Sequence, residues 1–160
     1  MQTSRSIDTI ISSAEKRCAE KGVRLTEKRS QVLTGLIQSK KALSAYGLID
    51  DCRENLGQQL PAMSVYRILD FLEGINLVHR LQLAKKYVAC SHISCDHKHG
   101  IPQFLICNGC DAVEEIGIPH SVINSLKDSV SEAGFHLASP QLEFECYCSD
   151  CVPTHTKKIL

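Results

Sequence analysis

The sequence lacks any apolar run of about 18 residues, the minimum length that a membrane-spanning helix needs. Its start, MQTSRSIDTIISSAEKRC, alternates apolar with polar residues and has no continuous apolar segment of the signal-peptide kind. We therefore expect no membrane segment and a cytoplasmic protein, and disulfides are rarely kept in the cytosol. Its nine cysteines are also an odd number, which argues against a fully paired disulfide framework.

Net charge is absent as well, because 18 basic side chains balance 18 acidic ones, but the two signs are unevenly distributed. Residues 1–90 hold fourteen Lys and Arg against nine Asp and Glu, whereas residues 91–160 hold four against nine. A basic half followed by an acidic half indicates two modules with different partners. The basic half suits a polyanion, and the acidic half suits cations.

The basic half carries helical periodicity followed by strand-like alternation. Apolar residues recur at helical spacing from Ile7 to Cys18, in the segments after Thr26 and Ser44, and in AMSVYRILDFLE. The next stretch, NLVHRLQLAKKYVAC, alternates apolar with polar residues on either side of AKK and predicts a β-hairpin. This order predicts a winged helix-turn-helix. The alternative is any small α+β domain with an exposed basic helix.

The last of these helices has a polar face that suits DNA. Its apolar stripe, Val65–Leu72, places Arg67 almost directly opposite, with Ser64 and Tyr66 on the flanks. A helix inserted in the major groove presents such a face. Tyr46, at the start of the preceding helix, is predicted to reach the adjacent DNA backbone. Arg67 suits a guanine edge or a phosphate, and we favour the base contact.

The acidic half contains two Cys-x-x-Cys pairs, Cys107 with Cys110 and Cys148 with Cys151. A redox pair needs a helix N-terminus to lower the pKa of its first thiol, but CNGC is followed by the strand-like DAVEEIGIP. Two close thiol pairs on tight turns are the usual ligands of a tetrahedral structural zinc. We therefore predict a structural Zn²⁺ held by these four cysteines.

Around these pairs the sequence predicts an α+β module with a small, mostly antiparallel sheet. FLIC, AVEEI and QLEFECY are the predicted strands. A helix begins near Pro119 and ends at Gly134, with an inward face that comprises Val122, Ile123, Leu126, Val130 and Ala133. Cys146 shares the parity of the apolar residues in its strand, so we expect it in the core or as a bystander to the metal.

A second crowd of ligand-type residues lies near the junction of the two modules. Singly, each has an ordinary explanation, such as a buried hydrogen-bonded histidine or a solvated carboxylate. Together they offer nitrogen, sulfur and oxygen ligands from both modules and from their linker. A metal bound there would fix how the halves are oriented, which is the layout of a sensor. The residues are His79, Cys90, His92, Cys95, His97, His99 and Glu115.

Several stretches resemble a known family. VRLTEKRSQVL, AYGLID and SVYRILDFLEGINLVHRL resemble the DNA-binding half of the ferric uptake regulator superfamily, and FLICNGCDAVEEI and CSDC resemble its dimerisation half. The zinc uptake regulator branch is the most similar, because Cys90 stands where zinc sensors of this family supply a thiolate. The resemblance implies a winged-helix DNA-binding domain at 1–90, a ligand-rich hinge linker at 91–102, and an α/β dimerisation and metal-binding domain at 103–160.

The same resemblance implies two Zn²⁺ sites per subunit. The structural site is Cys107, Cys110, Cys148 and Cys151, and the regulatory site is His79, Cys90, His99 and Glu115, with His97 as the alternative to His99. It also implies a homodimer whose zinc-loaded form binds double-stranded operator DNA and represses zinc-uptake genes. An iron- or peroxide-responsive regulator of the same superfamily is the alternative. The roles of His92 and Cys95 stay open.

Two other classes of function fit the sequence less well. An enzyme with a small-molecule substrate is not expected, since the ligand-rich regions contain no open-site motif such as His-Glu-x-x-His. A structural zinc module that binds only protein partners would have no salt-sensitive affinity for DNA.

Overall fold

A computed structural model describes residues 6–95 and 101–152 of the chain. The chain divides into two compact units, Met1–Asp96, here called unit 1, and His97–Leu160, here called unit 2. Each unit is described by itself. The predicted ligands His97 and His99 lie outside the described residues.

Unit 1 consists of four helices followed by a β-hairpin. Local signals set the helix ends: the hydroxyl of Ser6 accepts from Thr9 N–H, that of Ser44 accepts from Gly47 N–H, and Gly22 takes a positive φ just after the first helix. The hairpin strands pair antiparallel. The elements are α1 (Ile7–Glu20), α2 (Glu27–Ser39), α3 (Ala45–Leu56), α4 (Ala62–Gly74), β1 (Val78–Leu81) and β2 (Lys86–Ala89).

The apolar stripes predicted from the sequence meet in one core in unit 1. Val65, Ile68, Leu69 and Leu72 of α4 are all buried, and they pack with the inward residues of α1, α2, α3 and the hairpin. The hairpin is tied to the helices by an antiparallel bridge between Leu43 and Tyr87. This arrangement is a winged helix-turn-helix, as predicted. Within the described residues, no helix has the length and apolarity that a bilayer crossing requires.

Unit 2 contains a three-stranded sheet and one helix. Its elements are β3 (Gln103–Cys107), β4 (Val113–Ile116), α5 (His120–Glu132) and β5 (Leu142–Cys146), in the sheet order β4-β3-β5. The prediction of a mostly antiparallel sheet is correct for β3 and β4, which pair antiparallel, but wrong for β3 and β5, which pair parallel. Alternation along a strand predicts which face is buried, but it contains no information on strand direction.

The side chain of Gln103 aligns β5 on β3. It is fully buried, its amide group donates to the carbonyls of Ile101 (3.3 Å) and Pro140 (3.1 Å), and its Oε1 accepts from Leu142 N–H (2.7 Å). A buried amide with these partners satisfies the backbone groups at the start of the parallel pairing. The hydrogen bonds of Gln103 therefore fix the register of β5 on β3 in unit 2.

The helix α5 covers less of the sheet than its sequence pattern predicts. Of the expected inward residues, Ile123 is buried, whereas Val122 is 53% exposed and Ala133 is also exposed. A helical stripe identifies residues that share a face, but it does not determine how much of that face another element covers. Unit 2 consequently presents large apolar side chains at its surface: Val122, Phe135, Leu137, Phe144, Tyr147 and Val152.

Candidate metal centre and nucleic-acid interface

Two tight turns bring the four predicted structural thiols together. Cys107 ends β3, and the turn after it is closed by hydrogen bonds from Asp111 N–H to Cys107 O (3.0 Å) and from Cys107 N–H to Ala112 O (2.9 Å). Because β5 runs parallel beside β3, it delivers the second turn, with Cys148 and Cys151, to the same edge of the sheet. The backbone N–H of Asn108 donates to Cys146 O (2.9 Å) and joins the first turn to the end of β5.

The spacing of the four sulfurs fits a tetrahedral cation. The Sγ atoms of Cys107, Cys110, Cys148 and Cys151 all lie within 4.8 Å of one another, and those of Cys110 and Cys148 are 3.8 Å apart. Zinc–thiolate bonds of about 2.3 Å place tetrahedral corners roughly 3.8 Å apart. All nine cysteines are free thiols, and Cys146 lies outside the cluster, its half-buried Sγ donating to Phe144 O (3.5 Å).

The protonation of these thiols is uneven. Donation from Cys148 N–H, and also from Gly109 N–H, lowers the pKa of the Cys107 thiol to about 6. Hydrogen bonds to the thiols of Cys148 and Cys110 raise the pKa of Cys151 to about 12. Cys107 is therefore a thiolate at neutral pH, while Cys151 keeps a proton that a bound cation must displace. Since that displacement releases protons, the affinity for the cation rises with pH.

Gly109 leaves space that the cluster uses. A Cβ atom placed on Gly109 would lie 2.6 Å from Cys151 Cβ and 2.9 Å from Cys151 Sγ. The backbone N–H of Gly109 also donates to Cys107 Sγ (3.4 Å). Only glycine allows the first turn to approach the second this closely, so Gly109 is required by this arrangement of the four cysteines.

A second donor pair lies on the hairpin of unit 1. His79 is on β1, and Cys90 follows β2, where its backbone N–H donates to Leu77 O (2.9 Å) and extends the pairing. An imidazole nitrogen of His79 and the Sγ of Cys90 lie within 4.8 Å of each other. Imidazole and thiolate together favour a borderline cation such as zinc over hard oxygen-seeking cations. Glu115, the other described residue of the predicted regulatory set, is on β4 of unit 2.

The exposed face of α4 carries the predicted DNA contacts. Arg67 is exposed, Tyr66 is 38% exposed and Ser64 is half-buried, while Tyr46 at the start of α3 is 65% exposed. Sequence reasoning missed Met63, which is 65% exposed in the first turn of the same helix. The signal was available, because Met63 lies four residues before Arg67 and therefore shares its face.

The position of α4 is set by a contact with α2. The Arg29 guanidinium lies 3.4 Å from the centroid of the Phe71 ring and donates to Arg24 O (2.7 Å). This cation–π contact joins α2 to the C-terminal half of α4, and Phe71, four residues after Arg67, lies on the same side of the helix as Arg67. The exposed face of α4 therefore projects from a helix that is held at both its apolar stripe and its C-terminal half.

Comparison with known proteins gives a consistent result. The model of the ferric uptake regulator family matches residues 20–145. The zinc uptake regulation protein of Escherichia coli (strain K12) is 36% identical over 143 residues, which are 89% of this chain and 81% of that protein. The ferric uptake regulation protein of Helicobacter pylori is 23% identical over 154 residues, which are 94% of this chain and 97% of that protein.

Solved structures agree in fold. A zinc uptake regulator complexed with zinc and DNA aligns with a TM-score of 0.77 at 32% identity and covers 92% of this chain and 96% of that one. The holo form of XcZur aligns with a TM-score of 0.73 at 31% identity, and the alignment covers 89% and 96% of the two chains.

Proposed function

Since the chain belongs to the ferric uptake regulator family, in its zinc uptake regulator branch, we propose that it is a zinc-responsive transcriptional repressor. Its zinc-loaded homodimer binds operator DNA and represses zinc-uptake genes. The observation that carries this proposal is the His79–Cys90 donor pair on a DNA-binding domain, in a chain that also has a complete four-thiol cluster. As a regulator of genomic DNA, the protein acts in the cytoplasm.

The four-thiol cluster has a structural role in this proposal. Cys107, Cys110, Cys148 and Cys151 hold one Zn²⁺, with Cys107 as the thiolate already formed at neutral pH. The N–H groups of Gly109 and Cys148 keep donating to Cys107 Sγ and orient it. Four protein ligands leave no open coordination position, which is the arrangement of a structural site rather than a catalytic one.

The regulatory site is proposed to take His79 and Cys90 from unit 1, Glu115 from unit 2 and His99 from the linker, with His97 as the alternative. The close donor pair on the hairpin supports the first two, and the family resemblance supplies the others. Zinc bound by these ligands would favour one arrangement of the two units over others. His79 and Cys90 lie on the hairpin of the DNA-binding domain, so this selection acts directly on the DNA-reading unit.

For DNA recognition we propose that α4 enters the major groove. Arg67 reads a guanine edge, Ser64 and Tyr66 contact the flanking groups, and Tyr46 contacts the adjacent backbone. The exposure of Arg67, Tyr66 and Tyr46 beside a fully buried apolar stripe supports this role. The excess of basic residues in 1–90 supplies favourable charge toward phosphates.

Dimerisation is proposed to use unit 2. This unit exposes several large apolar residues, and β5 is an edge strand of the sheet. Apolar patches of this kind on a small domain mark protein interfaces. A second copy of the chain is the occupant, since a homodimer carries two recognition helices and reads two half-sites.

The deciding experiment uses an operator duplex selected from random DNA by the zinc-loaded protein. Protein that retains its tightly held structural zinc is titrated with Zn²⁺, Fe²⁺ or Mn²⁺ without oxygen, and affinity for the duplex is followed by fluorescence anisotropy. We expect Zn²⁺ to raise the affinity about 5–150-fold. A response to Fe²⁺ alone would favour the iron-sensing alternative, and equal affinity with and without added metal would contradict the proposal.

A further inference from the structure

One arginine in unit 1 donates hydrogen bonds to the backbone that follows the proposed ligand Cys90. Arg17, near the end of α1, donates from Nη1 to Asn76 O (3.0 Å) and from Nη2 to both His92 O (3.2 Å) and Ile93 O (3.0 Å). The acceptors belong to two segments, the turn between α4 and β1 and the turn after β2. These contacts from one guanidinium, here called the Arg17 clasp, join α1 to the exit of the hairpin.

The clasp acts on a segment that is also anchored from inside. Cys90 N–H donates to Leu77 O (2.9 Å), Ile93 is buried in the core of unit 1, and Cys95 N–H donates to His92 O (3.1 Å). The backbone of Cys90 is thus fixed by a hydrogen bond on its own N–H and by two bonds on the carbonyls that follow within three residues. Charged donors form the stronger hydrogen bonds, so the clasp is a substantial part of this anchoring.

We infer that Arg17 is a positioning residue for the regulatory zinc ligand Cys90. The location of the Cys90 thiolate depends on the backbone torsions of residues 90–93, and the clasp holds the far end of that segment. His79 is held independently by its strand pairing with Val88. Without Arg17, the imidazole would stay in place while the thiolate would lose its fixed distance from it. This inference rests on the proposed function.

The role differs from that of an ordinary structural arginine. Loss of Arg17 should weaken metal binding at the regulatory site. A different substitution that destabilises α1 by the same free energy should weaken metal binding less. Groups that orient metal ligands from outside the coordination sphere typically contribute about 10–100-fold in affinity. The clasp is also a physical link between the metal ligand and α1, so metal binding in turn should protect the 90–93 segment.

The test uses the full-length protein with zinc in the four-thiol site, titrated with Co²⁺ as a spectroscopic substitute at the regulatory site. The thiolate-to-cobalt absorption band then reports ligation by Cys90. Arg17→Gln should bind Co²⁺ about 10–100-fold more weakly, and Arg17→Lys, which keeps the charge but not the fork of donors, should lie between it and wild type. In the protein without regulatory metal, amide exchange at Cys90 should be faster in Arg17→Gln.

The matched control is Ser6→Ala, which removes the N-cap hydrogen bond at the other end of α1. It should bind Co²⁺ like wild type. A Co²⁺ affinity in Arg17→Gln equal to that of wild type, or a loss no larger than in Ser6→Ala, would overturn the positioning role alone. If wild type itself takes up no second metal with a thiolate band, the proposed regulatory site fails and the inference with it.

Discussion

Unit 1 buries a contiguous core of twenty residues, whereas unit 2 buries five among the residues that the structure describes: Gln103, Phe104, Ile106, Cys107 and Ile123. Unit 2 instead has the thiol cluster at one end of its sheet and exposed apolar side chains over its surface. A small domain with little core needs a metal, a disulfide or a partner to be stable. The comparison predicts that unit 1 is stable through its own packing, whereas unit 2 depends on a metal in its thiol cluster and on the proposed partner.

The largest effect should come from Cys107→Ser, because thiolate zinc sites contribute on the order of 10 kcal/mol to the folding of small modules. We expect unit 2 to unfold and the dimer to be lost, while unit 1 keeps its protected amides. Amide hydrogen exchange, read separately for each unit, measures this. Cys146→Ser, on β5 but outside the cluster, is the control and should behave like wild type. A zinc-free dimer of the Cys107 variant with native melting would show that unit 2 does not depend on the metal.

A smaller but still severe effect is expected for Gly109→Ala. The added methyl would lie 2.6 Å from Cys151 Cβ, so the two turns must separate and the tetrahedral geometry is lost. We expect zinc to leave this variant to a chelator that wild type resists. Gly117→Ala is the control, since a Cβ there has no neighbour within 4 Å. Equal zinc retention in both variants would mean that the turns tolerate the displacement.

Changes at the regulatory site should leave both units folded. Cys90→Ser and His79→Ala should keep zinc in the four-thiol site but lose the zinc-induced gain in DNA affinity, about 1–3 kcal/mol. By reciprocity, operator DNA should tighten zinc binding to wild type by the same factor. Anisotropy titrations with and without zinc measure the loss, and a full zinc response in Cys90→Ser would contradict the assignment. Of the two linker variants, His99→Ala should lose more than His97→Ala.

Arg67→Ala should affect DNA binding alone. If the guanidinium contacts a base, the variant should lose about 1–3 kcal/mol of binding free energy and its sequence preference at one operator position. If it contacts a phosphate, affinity for all DNA sequences should fall alike, and the slope of log affinity against log salt should fall by about one. Affinities for operator and scrambled duplexes over a range of salt separate the two. Zinc content must stay that of wild type. Unchanged affinity for both duplexes would remove α4 from the recognition role.

The smallest effect concerns Met63, whose exposed side chain suits a thymine methyl in the major groove. Met63→Ala should cost about 0.8 kcal/mol, the value of one buried methylene-sized group. The same loss should follow when uracil replaces the contacted thymine, and the two changes together should cost no more than either alone. Additive losses across every thymine position would show that Met63 contacts none of them.

Much of unit 1 could be predicted because its signals are local. The stripe Val65–Leu72 and the Ser44 cap follow from residues within a few positions of each other, and the structure has them as expected. The sequence also predicted that the four cysteines Cys107, Cys110, Cys148 and Cys151 lie together, because two Cys-x-x-Cys pairs are the usual ligands of one metal ion. The metal-binding and DNA-binding roles of the individual residues stay predictions.

The features that the sequence did not predict depend on contacts between residues that are far apart in the chain. The parallel direction of β5 follows from the path of the chain through α5, which alternation does not encode. The exposure of Val122 depends on what packs against α5, which the periodicity of the helix does not encode. The acceptors of the Arg17 clasp are backbone carbonyls, such as those of His92 and Ile93. Every residue has a backbone carbonyl, so the identity of these residues could not predict the contact.

The parallel pairing of β3 with β5 has a consequence for how the chain reaches its native state. Gln103 and Leu142, 39 positions apart, must meet before the sheet of unit 2 gains its third strand. Such distant contacts make folding slow, because the entropy of closing the loop is lost before the pairing stabilises anything. In unit 1 the hairpin partners are close in sequence. A cation that captures both thiol turns closes the same loop in advance, so its concentration during synthesis should set the folding rate of unit 2 and not that of unit 1.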